Sequence, residues 1–462
     1  MNKPTFAAFI LLGLNASFTL AEDSALDKRI ADLRARGEPV LIEDFRRAPI
    51  DPKDNARDDI EAAIKAIQNE TPEYSALDRR EEDVRLPVSE FEQEQLAAIS
   101  RQNEQTLSRM TTAAAKPQAI ADIKWESPVI KVLLPSLNGM RSVVNLLRYD
   151  FYHQVGLGMP EIALARVDQI DVLARYADSN DVLVGMLVAT GIRSLSTDLL
   201  VQLAPQLPIG DAAHQIPRPA VEKRIAGLLE HAQLRATFTR SIQAERMSTV
   251  DTLEALRTGK ITIDQLSALM SGAASKPAAL EPAAPIPPVK EEQEVFGANA
   301  LAALDYYDEL LKCFGEPDNV ATEKRMAEST LMKDLAKAKT DPRLSFVAVL
   351  LPSLNRIPLV HFTTLTKREA AAAALAMRLY AIDHGNKLPE KLDELVPKYL
   401  PRLPRDYLAD NQPLKYRAGE KAILWSIGRD GVDNGAAAAP ANRRQADDIF
   451  PLIAPRRISG GN

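Results

Sequence analysis

Pro160-Glu161-Ile162-Ala163-Leu164-Ala165-Arg166-Val167-Asp168-Gln169-Ile170-Asp171-Val172-Leu173-Ala174-Arg175-Tyr176-Ala177 is the stretch on which the fold turns. Ala163, Val167, Ile170, Ala174 and Ala177 recur at spacings of four and three, which places them on one face of a helix. Ahead of it, Gly156-Leu157-Gly158-Met159 ends one helix, and Pro160 with Glu161 starts the next: a proline at the first helical position and an acid in the first turn. A further helix begins at Asp181 and is apolar all round through Val182-Leu183-Val184 and Met186-Leu187-Val188. Arg193 and Asp198 within it mark a buried core helix instead of a membrane span. Three successive helices with short loops over residues 141–202 therefore predict an antiparallel hairpin array.

Toward the amino terminus the pattern thins. Residues 22–110 carry 22 acidic against 14 basic side chains, while the remainder carries 41 against 43. Sparse apolar residues (Ile30, Leu33, Val40, Leu41, Phe45, then Ile60, Ile64 and Ile67) predict an acidic segment, residues 22–125, of short helices and linkers that lean on something larger. Its charge runs, such as 78–83, read as solvated faces. Before it, Lys3, an apolar stretch from Phe6 to Leu14 and the small-residue ending Thr19-Leu20-Ala21 have the order of a secretory signal peptide over residues 1–21, cleaved after Ala21. The apolar stretch is short of the roughly 20 residues a span needs, and an uncleaved anchor is the alternative. Export to the periplasm or beyond follows. With one cysteine, Cys313, there is no internal disulfide and no amino-terminal lipidation site; Leu310-Leu311-Lys312-Cys313-Phe314 reads as a helix with a buried, inert thiol.

Beyond the array, helices are expected at 221–234, 263–270, 298–314 and 322–337, within a helical domain spanning 126–343. Pro277, Pro282, Pro285, Pro287 and Pro288 interrupt it and predict a semi-rigid linker over 271–290. Val132-Leu133-Leu134-Pro135-Ser136-Leu137-Asn138 recurs as Val349-Leu350-Leu351-Pro352-Ser353-Leu354-Asn355, a local device in which proline breaks an apolar segment before the next helix. The last unit, 344–462, differs in kind. Thr366-Lys367-Arg368-Glu369 is readable as a capping box opening a helix from Ala370 to His384, which Gly385 ends. Pro389 starts a short helix to Leu395, and Pro397, Pro401 and Pro404 forbid helix beyond it. Residues 414–417 and 422–426 alternate across Ala418-Gly419-Glu420-Lys421 as a β-hairpin, with Leu414 and Tyr416 expected to share a face with Ile423 and Trp425. The expected fold is mainly α: a helical hairpin array or bundle with a small carboxy-terminal α+β unit, a long helix plus an antiparallel hairpin.

That unit resembles the periplasmic domain of the major pseudopilin of type II secretion, through Leu379-Tyr380, Asp383-His384-Gly385, Tyr399-Leu400-Pro401-Arg402-Leu403-Pro404, the hairpin into Leu424-Trp425-Ser426-Ile427-Gly428, and Asp430-Gly431. The resemblance covers roughly a quarter of the chain and implies a long helix packed on a small antiparallel sheet. It also implies a calcium ion held after the last hairpin by Asp430, Asp433 and Asp448, with Asp447 beside them. Two departures stand out. Ala436 to Pro440 and a basic insert replace the family's glycine-rich stretch, and the apolar run precedes the processing site instead of following it, so a pilus subunit in its own right is not expected. With Arg36-Gly37-Glu38-Pro39-Val40 near the expected mature start, the helical middle and the pseudopilin-like end, the chain as a whole resembles exported helical proteins of planctomycete-type bacteria, a likeness that implies architecture and no activity.

Composition narrows the remaining classes. At 462 residues, 46% hydrophobic and 26% charged, the chain can bury a sizeable core, which excludes wholesale disorder. A net charge of -6 leaves no electrostatic footprint for nucleic acid. The histidines, at 153, 214, 231, 361 and 384, lack paired zinc spacing; Gly156-Leu157-Gly158 lacks the third glycine of a dinucleotide loop; and Ser136 and Ser353 lack a glycine elbow. Asp305, Asp308 and Glu309 read as a solvated helix face. The sequence thus favours an exported structural or interaction protein of the cell envelope over an enzyme. Its partners would be envelope or secreted proteins, with no nucleic acid and no transmembrane span after signal cleavage. A secreted hydrolase assembled from distant residues, and an accessory component of a type II secretion-like machine, are the alternatives.

Overall fold

The computed structural model describes residues 25–78, 84, 86–131, 136–270, 289–314, 321–329, 344, 346, 350, 357–428, 430–437 and 447–452. Residues 1–21, where a signal peptide is expected, residues 271–288 of the proline-rich segment, Ser353 and most of the second copy of the repeated heptad lie outside them. The protein is mainly helical with a small carboxy-terminal antiparallel sheet. Its principal helices are α1 (Arg57–Ala66), α2 (Glu90–Gln102), α3 (Glu104–Ala114), α4 (Ser136–Gly156), α5 (Pro160–Asp178), α6 (Leu183–Leu203), α7 (Arg218–Leu229), α8 (Ala232–Arg257), α9 (Val289–Cys313) and α10 (Ile357–Asp383).

The array expected over 141–202 is α4, α5 and α6, which pack in succession. Gly158, at φ +74°, turns the chain between α4 and α5, a conformation that favours glycine, and Pro160 opens α5. Ala163, Val167, Ile170, Ala174 and Ala177 are all fully buried. Residues 183–206 are long and apolar enough to cross a membrane by length and composition, and just over half of the most apolar window, 56%, is buried inside the protein. Arg193 is 9% exposed and paired with Asp178, while Lys367 Nζ donates to both oxygens of Asp198 at 2.9 and 2.8 Å. In the acidic segment, Ser89 and Glu92 form a reciprocal cap on α2, and the Asn103 side chain accepts from Gln68 N at 2.8 Å and donates to its carbonyl at 3.0 Å.

Three expectations are corrected. The helix expected over 221–234 ends at Leu229, and a separate 26-residue helix, α8, follows. Two of its hydroxyls bond backward, Thr249 Oγ1 donating to Glu245 O at 2.9 Å and Ser241 Oγ to Thr237 O at 3.0 Å, which satisfies groups that would otherwise favour turns. Second, Thr366 and Glu369 are not a cap: α10 begins nine residues earlier, at Ile357. Both side chains instead reach across to the strands, Thr366 Oγ1 accepting from Tyr407 N at 3.0 Å. Gly385, at φ +63°, ends the helix as expected. Third, Asp308 is 7% exposed and accepts from Arg29 and Arg36 at 3.0 and 2.8 Å, clamping the helix over residues 25–35 to α9.

Strands β1 (Arg405–Asp406) and β2 (Gln412–Pro413) form one ribbon. β3 (Lys415–Arg417), β4 (Ile423–Ser426) and β5 (Asp448–Pro451) form a three-stranded antiparallel sheet in that order. The hairpin is present, but Tyr416 pairs with Leu424, and Lys415 and Arg417 pair with Trp425 and Ile423. Leu414, Tyr416, Leu424 and Phe450 therefore face the core, while Ile423 and Trp425 lie on the other side. A register one residue away from the expected one exchanges the faces.

One buried cluster takes Ala56, Ile60 and Leu96 from the acidic segment, Leu147, Leu173 and Leu200 from the array, and Leu375, Leu424 and Phe450 from the last unit. The core thus crosses both boundaries drawn in the sequence, at 125 and 343. α10 lies at its centre: Ala370 to Ala374, Ala376 and Leu379 are at most 3% exposed, and their short side chains let α6 and α7 approach closely.

Candidate functional site

The aspartates after the hairpin do different jobs. Asp430 Oδ1 accepts from Val432 N at 3.1 Å, an Asx-type turn. Asp433 Oδ1 accepts from Trp425 Nε1 at 3.0 Å and Gly435 N at 2.9 Å, bonds that hold its carboxyl below the usual range. Asp447 is 6% exposed and accepts from Asn434 N at 3.2 Å and Ala436 N at 2.8 Å, closing the loop. Asp448 pairs with Ser426 on β4 and shares the inner face with Phe450, where its charge acts on Asp406 and Asp198. Asp433 and Asp448 consequently stand on opposite faces of the sheet. Placed so, Asp430, Asp433 and Asp448 are not drawn together around one point, and among the described residues no group of three or more His, Cys, Asp or Glu is arranged to hold a metal. Melting curves of the whole protein in chelator and in millimolar calcium are expected to coincide; a rise of several degrees with calcium would show that the loop rearranges around an ion.

The buried histidines are structural. His231 Nε2 meets Glu369 Oε1 at 2.9 Å, and Arg402 grips the same carboxylate bidentately at 2.6 and 2.8 Å. Burial and the nearby charges of Arg235, His231 and Arg193 push His361 down to about 3, keeping it neutral. His153 Nδ1 pairs with Gln93 at 2.9 Å, His214 with Glu161 at 3.1 Å, and His384 stacks on Tyr380 at 3.8 Å. Cys313 is buried and free, and burial raises its thiol.

A cleft of about 620 Å³ opens between α5, α6, α8 and α10, lined by Arg47, Arg175, Asp178, Arg193, Arg240 and Arg368 among others. Asp181, at φ +60° in the turn after α5, accepts from Arg47 at 2.5 Å and lies 3.0 Å from Arg240. Burial pushes its carboxyl up against the pull of both arginines. Arg193 pairs with Asp178, whose Oδ1 is buried without a hydrogen bond. From α10, Arg368 donates to the Gly227 and Glu230 carbonyls at 2.6 and 3.3 Å, finishing the end of α7, while its Nε has no acceptor. Burial, reinforced by the Arg193 charge, lowers Arg368 despite Asp171. No local spacing announces this cleft; its sequence signal is charge inside helices that must be buried, as at Arg193.

No protein-family model matches the chain, and no curated protein or solved structure is detectably similar to it.

Proposed function

We propose that the chain is an exported interaction protein of the cell envelope, a rigid helical body that presents the outer face of its carboxy-terminal sheet to a protein partner. The observation that carries this reading is the construction of that sheet. Its inner face joins the helices in one core, whereas Trp425, the exposed Ile449 and Val432, and the cations Lys415 and Arg417 lie on the outer side or beside it. Apolar groups rimmed by charge are the composition of a protein contact. Arg417 stacks on Trp425 at 5.5 Å, which keeps the ring upright. α10 packed against an antiparallel sheet is also the layout that the pseudopilin resemblance implies, which favours a partner within a secretion-type assembly. Recovered from envelope extracts, the chain should have a mass lacking residues 1–21 and should carry a stoichiometric protein companion that Trp425→Ala releases. A cytoplasmic chain retaining residues 1–21, or a companion unaffected by Trp425→Ala and Arg417→Glu, would overturn the reading.

A further inference from the structure

We propose that the cleft between α5, α6, α8 and α10 binds a small oxyanion that also carries an O–H group, the chemistry of hydrogenphosphate or of a hydroxycarboxylate. The lining charges favour an anion there. Five guanidiniums line the cleft against four carboxylates (Asp171, Asp178, Asp181 and Glu230) in a chain whose net charge is -6. Arg47 and Arg240 share the single carboxylate of Asp181, and Arg368 is held by two carbonyls, which carry no charge. Asp171 accepts from Ser196 at 2.6 Å and Glu230 from Ala232 N at 2.7 Å, and the charges of Asp171, Glu369 and Glu230 act on Arg368 without outweighing its burial. Arg175 stands exposed on the rim.

The second observation is two buried polar atoms without a hydrogen-bond partner, on two residues that both line the cleft. Arg368 Nε is a donor without an acceptor, and Asp178 Oδ1 is an acceptor without a donor, on a residue 9% exposed. Buried groups left so are costly, and each needs a partner. An ion that offers both an anionic oxygen and an O–H has the chemistry each of them lacks. Guanidinium forks suit carboxylate and phosphate geometry alike, and about 620 Å³ is within the range of small-ligand clefts. This inference stands apart from the sheet-face reading, because neither Trp425 nor Arg417 lines the cleft.

Calorimetric titration of the full mature chain with inorganic phosphate, glycolate and sulfate tests it. Phosphate or glycolate is expected to bind at millimolar concentration or below, and whichever binds more tightly identifies the source. Sulfate, which at neutral pH has no O–H for Asp178, should bind at least about tenfold more weakly, the loss expected when a buried acceptor is left unpaired. Arg175→Gln, on the exposed rim, should weaken binding about tenfold without changing the melting temperature, as loss of one charge-assisted hydrogen bond does. Absence of heat with both phosphate and glycolate would overturn the proposal. So would equal affinity for sulfate, or affinity unchanged in both Arg175→Gln and Arg368→Gln.

Discussion

Glu369→Ala is expected to lower the free energy of unfolding by about 3–5 kcal/mol, the cost of removing one partner from a buried ion pair. Glu369 is fully buried, and its carboxylate accepts twice from Arg402, once from Arg405 N at 3.1 Å, and meets His231 at 2.9 Å. Alanine leaves a guanidinium and a backbone N–H facing one another with nothing between them. Burial drives the Glu369 carboxyl up, but Arg402, His231 and the Arg405 amide together outweigh it and hold the group below its usual range. A carboxyl depressed in the folded state contributes stability above its unfolded pKa and loses it as pH falls through the folded value. The gap between wild type and Glu369→Ala should accordingly be full at neutral pH and narrow in acid. Urea melts at both pH values measure it; a neutral-pH loss below about 1 kcal/mol would place the lock among ordinary surface pairs.

Glu38→Ala should cost nearly as much, about 3 kcal/mol or more, for a different reason. Arg246 has no exposed surface; its Nη1 donates to Glu38 at 2.8 Å and its Nη2 to the Pro39 carbonyl at 2.9 Å. Without Glu38 the guanidinium sits in the core with one carbonyl for company. Removing the charge as well should recover much of the loss, because methionine can fill the same channel without needing a counter-ion. In a double-mutant cycle, Glu38→Ala with Arg246→Met should therefore be more stable than Glu38→Ala alone. A double variant less stable than the single one would mean that Arg246 matters through its packing and not through its charge.

What could be read from the sequence was whatever a local pattern encodes. α5 declared itself because its buried residues are apolar and recur at helical spacing, and the Gly158 and Pro160 punctuation fixed where it starts. α8 stayed hidden because what it buries includes Arg246, Ser241, Thr249 and Thr252, whose partners are in part far away in the chain. Thr366 and Glu369 imitated a helix start so well because the same side chains that cap a backbone locally can serve a strand 41 or 36 residues on. The hairpin was legible but its faces were not, since alternation is satisfied by either of two registers and only packing against α10 chooses. The cleft was least legible of all: Arg47, Asp178, Arg240 and Arg368 come from four separate segments, and only the fold makes them neighbours.

The distances along the chain that those locks span bear on time as well as on energy. Arg29 waits for Asp308, 279 residues later, whereas His231 and Glu369 close a span of 138. Doubling a loop adds only about 0.6 kcal/mol to the cost of closing it, so the long clasp is thermodynamically cheap. Kinetically it is late: the helix over residues 25–35 is made before α9, yet its Arg29 has no Asp308 to hold until α9 has been made and folded. A segment made earlier than its partner is thus expected to settle late, apart from the alanine-rich centre. In hydrogen exchange it would behave as its own cooperative unit, a clasp that reports on completion of the fold.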